Sequence, residues 1–490
     1  MNTFMNGLVN ESNFGRTENG AVKHLTTKSA VLDMFALCGA YRHRSEADCI
    51  LAFKNAYEEN PVLALKCLFY LRDCRGGQGE RRFFRVCFRW LAENHEEAAR
   101  RNLENVSEYG RWDDLIYATV GTKLERAALV LVAKQLTLDM GCKTPSLLAK
   151  WMPSENASSK ETKRVANIVR SQLGMSHKEY RKTLSTLRTR INIVEKLMSQ
   201  NRWDEIEFDK IPSKAGLVYK NAFARRDIIA KKYEEFAKDA TKTVNASTLY
   251  PYDVAHRAFE AYGMPLEASE RLMIQKYWDA LPNYYGENEE NGLAIVDTSG
   301  SMSGQPLEAA VSLGAYIAEK AHGPFAGYFV TFSSRPELVK FEGVDIVDKF
   351  NRARRASWQM NTDLKAVFNM LLRVAQQNGT KPEDMPQRLY IFSDMEFDNC
   401  LSLGYHCEEG KVNTLLENIA VEWAREGYEL PKVVFWNLDA RTQNIPALGN
   451  RFSYVSGLSP VMIQTILSGG DGYTLMLSKL LNSGRYDAVK

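Results

Sequence analysis

The sequence predicts two modules of different class: an N-terminal α-solenoid over residues 1–285 and a doubly wound α/β domain over residues 286–490. Three observations lead there. Up to about residue 285 the apolar residues recur at helical spacing in short runs, and no stretch alternates strongly enough to read as a strand. From Leu293 onward short apolar runs alternate with helical patterns, which implies a parallel sheet with helices on both faces. Between the two, Pro282-Asn283-Tyr284-Tyr285-Gly286 and the acidic run Glu287 to Glu290 read as a linker.

Composition sets the class. With 490 residues, 45% hydrophobic and 25% charged, the chain is long enough for two or three domains and has an ordinary globular balance. Its apolar runs are far shorter than a membrane span, so no membrane partner is expected. The opening MNTFMNGLVN lacks the basic and long apolar regions of a secretory signal. The cysteines form no Cys-x-x-Cys pair, which argues against a structural zinc and for reduced core thiols. Cytoplasm is the expected compartment. Residues 281–490 hold 19 Lys and Arg against 25 Asp and Glu, leaving 44 against 35 in residues 1–280. The first part is therefore the candidate for a polyanion partner, unless that charge serves only solubility.

Taken in order, the first dozen residues carry no period. Thr26-Thr27 can cap a helix from Lys28 to Tyr41, with Val31, Met34, Phe35 and Cys38 on one face. Ser45, with Asp48 three residues on, starts a second, which Asn60-Pro61 ends. Pro61 suits the first turn of a third. Gly76-Gly77-Gln78-Gly79 breaks that helix, and Glu80 to Glu93 forms the next. Short helices then follow: Ala98 to Val106, Trp112 to Thr119, Leu124 to Asp139, Ser146 to Lys150, Lys160 to Leu173, Ser176 to Leu187 and Ile191 to Ser199. Repeated helix pairs of this size predict an α-solenoid of HEAT-like repeats, with closure into a ring one arrangement open to it.

In the second module Leu293–Val296 is the first strand and Leu307–Ala321 the first helix. Phe325–Phe332, Glu337–Phe341, Arg388–Ser393 and Lys432–Asn437 read as strands. Leu364–Gln377 and Asn413–Glu426 read as helices. Pro460 to Leu467 and Thr474 to Leu481 are terminal helices placed to return onto the solenoid.

The chemistry concentrates where the first strand ends. Asp297-Thr298-Ser299-Gly300-Ser301 puts a carboxylate and two hydroxyls on one tight turn, at the sheet end where open α/β folds place ligands. Hard oxygens suit a hard cation, Mg²⁺ or another divalent ion such as Mn²⁺. Alone, Asp-x-Ser-x-Ser also reads as a capped helix start. Thr362 before one predicted helix and Asp394 after another apolar strand supply what such a site would lack. Together these residues resemble the metal-ion-dependent adhesion site of a von Willebrand factor A domain. The resemblance implies Ser299, Ser301 and Thr362 as direct ligands, with Asp297 and Asp394 acting through water.

Three stretches stand out in the helical module: Thr17-Glu18-Asn19-Gly20-Ala21, Leu71-Arg72-Asp73-Cys74-Arg75-Gly76-Gly77-Gln78-Gly79-Glu80-Arg81 and Tyr109-Gly110-Arg111-Trp112-Asp113-Asp114-Leu115. The glycines of the second are not a phosphate loop, because no Gly-Lys-Ser/Thr and no strand accompany them. They read as a helix–helix turn, although a basic helix start also suits phosphate. Together the stretches resemble the TROVE module, the helical ring of the Ro autoantigen family, and the order of ring then A domain matches too. A related family in bacteria, phages and plants shares that layout. The resemblance implies binding of small noncoding or misfolded RNA, and a role in RNA quality control.

Candidate RNA contacts are Arg75, the cluster Arg181, Lys182, Arg188 and Arg190, and the cluster Lys214, Lys220, Arg225 and Arg226 near Tyr219 and Phe223. Basic side chains meet phosphate and aromatics stack on unpaired bases, while each alternatively belongs to a solvated helix face or the core. No nucleophile–base motif, His-Glu-x-x-His or nucleotide loop appears, and two-metal hydrolysis needs several bridging carboxylates, so no enzymatic activity is expected. The function expected is RNA binding by the helical module, with metal-dependent capture of an acidic partner residue by the second. The competing expectation is a protein scaffold or chaperone-like assembly factor.

Overall fold

A computed structural model describes residues 13–191, 194–260, 266–286, 291–332, 335–354, 363–398, 414–467 and 471–490. The chain is α-helical through its first part and mixed α/β through its second, as the periodicity predicts at that level. Among the described residues the first elements are strands. Phe14–Arg16 (β1) and Val22–His24 (β2) pair antiparallel, in a segment that sequence reading leaves without strands. Strands this short show too little alternation to be seen.

The helices begin where capping chemistry places them. Ser29 accepts from Leu32 N to start Ala30–Leu37, Ser45 and Asp48 form a capping box on Glu46–Glu59, and Asn60 caps Pro61–Arg72. Their shared core holds Phe35, Phe53, Phe69, Phe84 and Phe88, each at most 1% exposed. Burying a side chain of this kind stabilises the fold by about 1.5–3 kcal/mol. Helices also form at Ser213–Arg225, Asp227–Lys238, Pro251–Glu260 and Ala268–Asp279, beyond the point where the sequence reading resolves single helices.

The second part is built on a six-stranded sheet of order β5-β4-β3-β6-β7-β8. Its strands are Gly292–Asp297 (β3), Tyr328–Phe332 (β4), Glu337–Lys340 (β5), Arg388–Ser393 (β6), Lys432–Asn437 (β7) and Phe452–Ser456 (β8). The sheet is mixed rather than wholly parallel, because β4 and β5 run antiparallel; the other pairings are parallel. Every residue of β3 and β6 is buried, which is why both read as continuous apolar runs. The helix Gln305–Lys320 lies against β3, where a Cβ at Gly314 would stand 2.4 Å from the Val296 side chain.

The two parts pack together. A Cβ at Gly39 would lie 2.6 Å from Ser456 Oγ and 2.8 Å from its carbonyl oxygen, so the first helices meet the carboxyl end of β8 at backbone distance. The segment after Gly472–Leu477 returns to the helical part, as its sequence position suggests. There Arg485 Nη2 and the Tyr486 hydroxyl bond Asp73 at 2.9 and 3.1 Å.

Candidate functional site

Numbered within the sheet, the strand order is 3-2-1-4-5-6, and the order reverses between β3 and β6. Ligands of open α/β sheets bind at the carboxyl ends of the strands beside such a reversal. Both sequence-predicted carboxylates stand there: Asp297 closes β3 and Asp394 directly follows β6. The turn after β3 carries the hydroxyls.

Asp297 is fully buried. It accepts from Ser393 Oγ at 2.5 Å on one oxygen and from Ser299 N at 2.9 Å on the other. Ser299 Oγ and Ser301 Oγ lie 3.0 Å apart, so the carboxylate and both hydroxyls share one turn. Thr298 Oγ1, in the same turn, is buried and has no hydrogen-bond partner among the described residues. Asp394 is 1% exposed; it accepts from Glu396 N at 3.2 Å and is ion-paired with Arg441. Between them Met395 holds φ at +65°, a conformation that costs a side-chain-bearing residue and gathers at functional sites. Its N–H donates to Ser393 Oγ at 2.9 Å, which fixes the loop. Thr362 lies outside the described residues; Asp363, next to it, caps Leu364–Asn378 by accepting from Ala366 N at 2.9 Å.

Burial dominates the electrostatics of the turn. Burial, and then the nearby Asp394 carboxylate, push the Asp297 pKa up to about 7. Arg441 compensates Asp394, while the donors to Asp297 among the described residues are neutral. A divalent ion among Asp297, Ser299 and Ser301 would offset that desolvated charge, and hydroxyl and carboxylate oxygens suit Mg²⁺ or Mn²⁺. The donor chemistry therefore fits the ion that the sequence suggests. Among the described residues no group of three or more His, Cys, Asp or Glu is placed to hold a metal, so a site here would depend on its serines.

Sequence reasoning missed the neighbours. Ser393 stands inside an apolar run and signals itself only by preceding Asp394. Arg441, in the loop after β7, has no local motif. Glu396, 1% exposed, accepts from Thr442 Oγ1 and Asn444 Nδ2 at 2.6 Å and from Glu18 N at 2.8 Å. Thr17 Oγ1 donates to Phe397 O at 2.6 Å. The Thr17-Glu18-Asn19-Gly20 stretch is thus a strap laid on the loop that carries Asp394.

The other two stretches are also joints. Asp73 accepts from Arg75 N at 2.9 Å and Gly76 N at 3.1 Å and receives Arg485 and Tyr486 from the far end of the chain. Asp114 accepts from Arg72 and Arg85, each at 2.7 Å through Nε.

Several of the basic candidates are held by partners within the chain. Arg188 donates to Ala149 O at 2.8 Å, Met152 O at 3.0 Å and Ser154 Oγ at 3.0 Å. Lys220 is buried, 3.2 Å from Glu270. Arg190 donates to Met140 O and Arg75 to Glu108 O, both at 2.8 Å. Lys214 pairs with Asp253 at 3.2 Å, and Arg226 lies over Trp203 at 4.4 Å. Arg181, Lys182 and Arg225 are exposed. Phe223 is in the core with Phe208 and Tyr233, so it offers no face to a base.

Residues 17–120 and 133–283 match the family described as Domain of unknown function (DUF2828), and residues 291–476 match Domain of unknown function (DUF7788). The chain is 30% identical over 503 residues to the protein named Uncharacterized protein L728 of Acanthamoeba polyphaga mimivirus, across 93% of this chain and 85% of that one. Among the described residues no helix is long and apolar enough to cross a membrane.

Proposed function

We propose that this chain, which belongs to the DUF2828 family, is a non-catalytic binding protein with a Mg²⁺-dependent site in a von Willebrand factor A-type domain and an RNA-binding helical module of Ro type. The observation that carries the reading is the meeting of Asp297, Ser299, Ser301 and Asp394 at the reversal point of a 3-2-1-4-5-6 sheet. A cation held mainly by neutral hydroxyls keeps much of its charge, and an acidic residue of a partner is the ligand it would attract. Such a site binds rather than hydrolyses, because hydroxyls do not bridge two metals as carboxylates do. The boundary proposed between the modules, at residues 285 and 286, falls between the family matches that end at 283 and begin at 291.

The RNA half is supported by the resemblance of its motifs and by the exposed Arg181, Lys182 and Arg225. A scaffold without RNA is the second reading. It is favoured by the in-chain bonds of Arg188, Lys220, Arg190 and Lys214, which leave fewer free cations than the sequence suggests. Sequencing RNA crosslinked to the protein in its native cells separates the two. With Arg181, Lys182 and Arg225 reversed to Glu, a discrete RNA lost from the variant supports the first reading. No enrichment over a control protein of equal charge supports the second.

A further inference from the structure

The helix His177–Arg190 and the loop 150–157 line a cleft of about 740 Å³ in the helical part. Its walls are fixed in advance. The Arg188 bonds to Ala149, Met152 and Ser154 and the Tyr180 hydroxyl, which donates to Pro153 O at 2.8 Å, tie the loop to the helix.

The lining combines three chemistries. Trp151 contributes an indole ring, with the Arg111 guanidinium stacked 4.1 Å from its centroid. Lys150 and Arg181 contribute positive charge; Arg181 is exposed and makes no hydrogen bond or ion pair among the described residues. Asp113 and Glu155 contribute carboxylates that are only half satisfied. Glu155 Oε1 lies 2.6 Å from His177 Nδ1 and 3.2 Å from Arg170 Nε, and Asp113 Oδ2 accepts from Arg85 at 2.7 Å. Glu155 Oε2 and Asp113 Oδ1 are buried and have no hydrogen-bond partner among the described residues. A buried acceptor left without a donor is costly, and the group that brings donors recovers that cost.

We propose that this cleft binds a nucleotide whose base carries an exocyclic amino group. The base stacks on Trp151, the amino group donates to Glu155 or Asp113, and the phosphate lies against Arg181 and Lys150. A simple anion would leave the carboxylates unpaired, and a simple cation would meet Arg181 and Lys150. The nucleotide is either free or part of an unpaired strand. This inference rests on the nucleic-acid half of the function proposed above only in giving it a location, and it does not involve the metal site.

Calorimetric titration of the full chain with adenosine monophosphate, inosine monophosphate and a single-stranded oligoadenylate tests it. Inosine monophosphate lacks the amino group and is expected to bind about tenfold more weakly or worse. Arg181→Gln, at an exposed position, is expected to weaken both mononucleotides. Trp151→Leu is expected to cost about tenfold through lost stacking. Tighter, salt-sensitive binding of the oligonucleotide assigns the cleft to a strand, and equal binding assigns it to free nucleotide. Absence of binding by all three probes, or binding that both variants leave unchanged, overturns the proposal. Where the titration assigns the cleft to a strand, an Arg181→Gln, Trp151→Leu double variant that still crosslinks its RNA in cells shows this cleft wrong while the RNA reading stands.

Discussion

The guanidinium of Arg72 and the carboxylate of Asp114, 2% and 0% exposed, meet at 2.7 Å and join the two sequence stretches that most distinguish the helical part. Arg85 closes the other oxygen of Asp114, and Arg111 N donates at 2.9 Å to the same oxygen as Arg72. In space the two stretches meet at this buried pair.

Removing one partner of such a pair strands a buried charge. Asp114→Ala is expected to destabilise the fold by about 3–5 kcal/mol in urea or guanidinium unfolding. Lys182→Ala, at an exposed position, is expected to change stability by less than about 0.5 kcal/mol.

Arg441 sits where it competes with a cation for Asp394. Arg441→Met is expected to raise Mg²⁺ affinity, about tenfold, by removing a neighbouring positive charge. The same change should lower the stability of the metal-free protein, since Asp394 loses its ion pair. Calorimetric Mg²⁺ titration and thermal unfolding in chelator read the two effects separately.

The returning C-terminal segment carries a titration. Burial, opposed by Asp73 and assisted by Arg485, brings the Lys479 pKa down to about 8. A lysine depressed in the fold contributes stability above its unfolded pKa, near 10.4, and loses it as pH falls through the folded value. Stability is therefore expected to rise between about pH 8 and 10, and Lys479→Met should flatten that rise while stabilising the protein at pH 7. Unfolding midpoints across that range check both.

Occupied by metal, the β3–β6 site should also stabilise the fold. Excess Mg²⁺ at about a hundred times its dissociation constant should add about 2.7 kcal/mol, reversed by chelation and absent in Ser299→Ala, Ser301→Ala. Thermal shifts with and without chelator decide it.

The two-part layout was legible because period changes with structure: buried parallel strands such as β3 and β6 are unbroken apolar runs, and the capped helices at Ser45 and Asn60 announce themselves. β8 was missed although fully buried, since Phe452-Ser453-Tyr454-Val455-Ser456 mixes serines into its run and follows a polar loop. Asp297, Ser299, Ser301 and Asp394 were legible as a candidate site because residues on strand ends and the turns after them are local in sequence. Arg441 and the strap at Thr17 were not, because they reach it from distant parts of the chain. The surroundings of the basic residues were illegible for a related reason. Whether Lys220 faces solvent or Glu270 is decided by tertiary packing, and charge counted along a helix carries no trace of it.

The central claim is a divalent ion at Asp297, and the most direct measurement is Mn²⁺ binding followed by electron paramagnetic resonance in the intact chain and in Asp297→Ala. One Mn²⁺ per chain, displaced by Mg²⁺ and lost in the variant with its circular dichroism unchanged, is the result predicted. No stoichiometric Mn²⁺ in the intact chain, or equal binding in a folded Asp297→Ala protein, would contradict it.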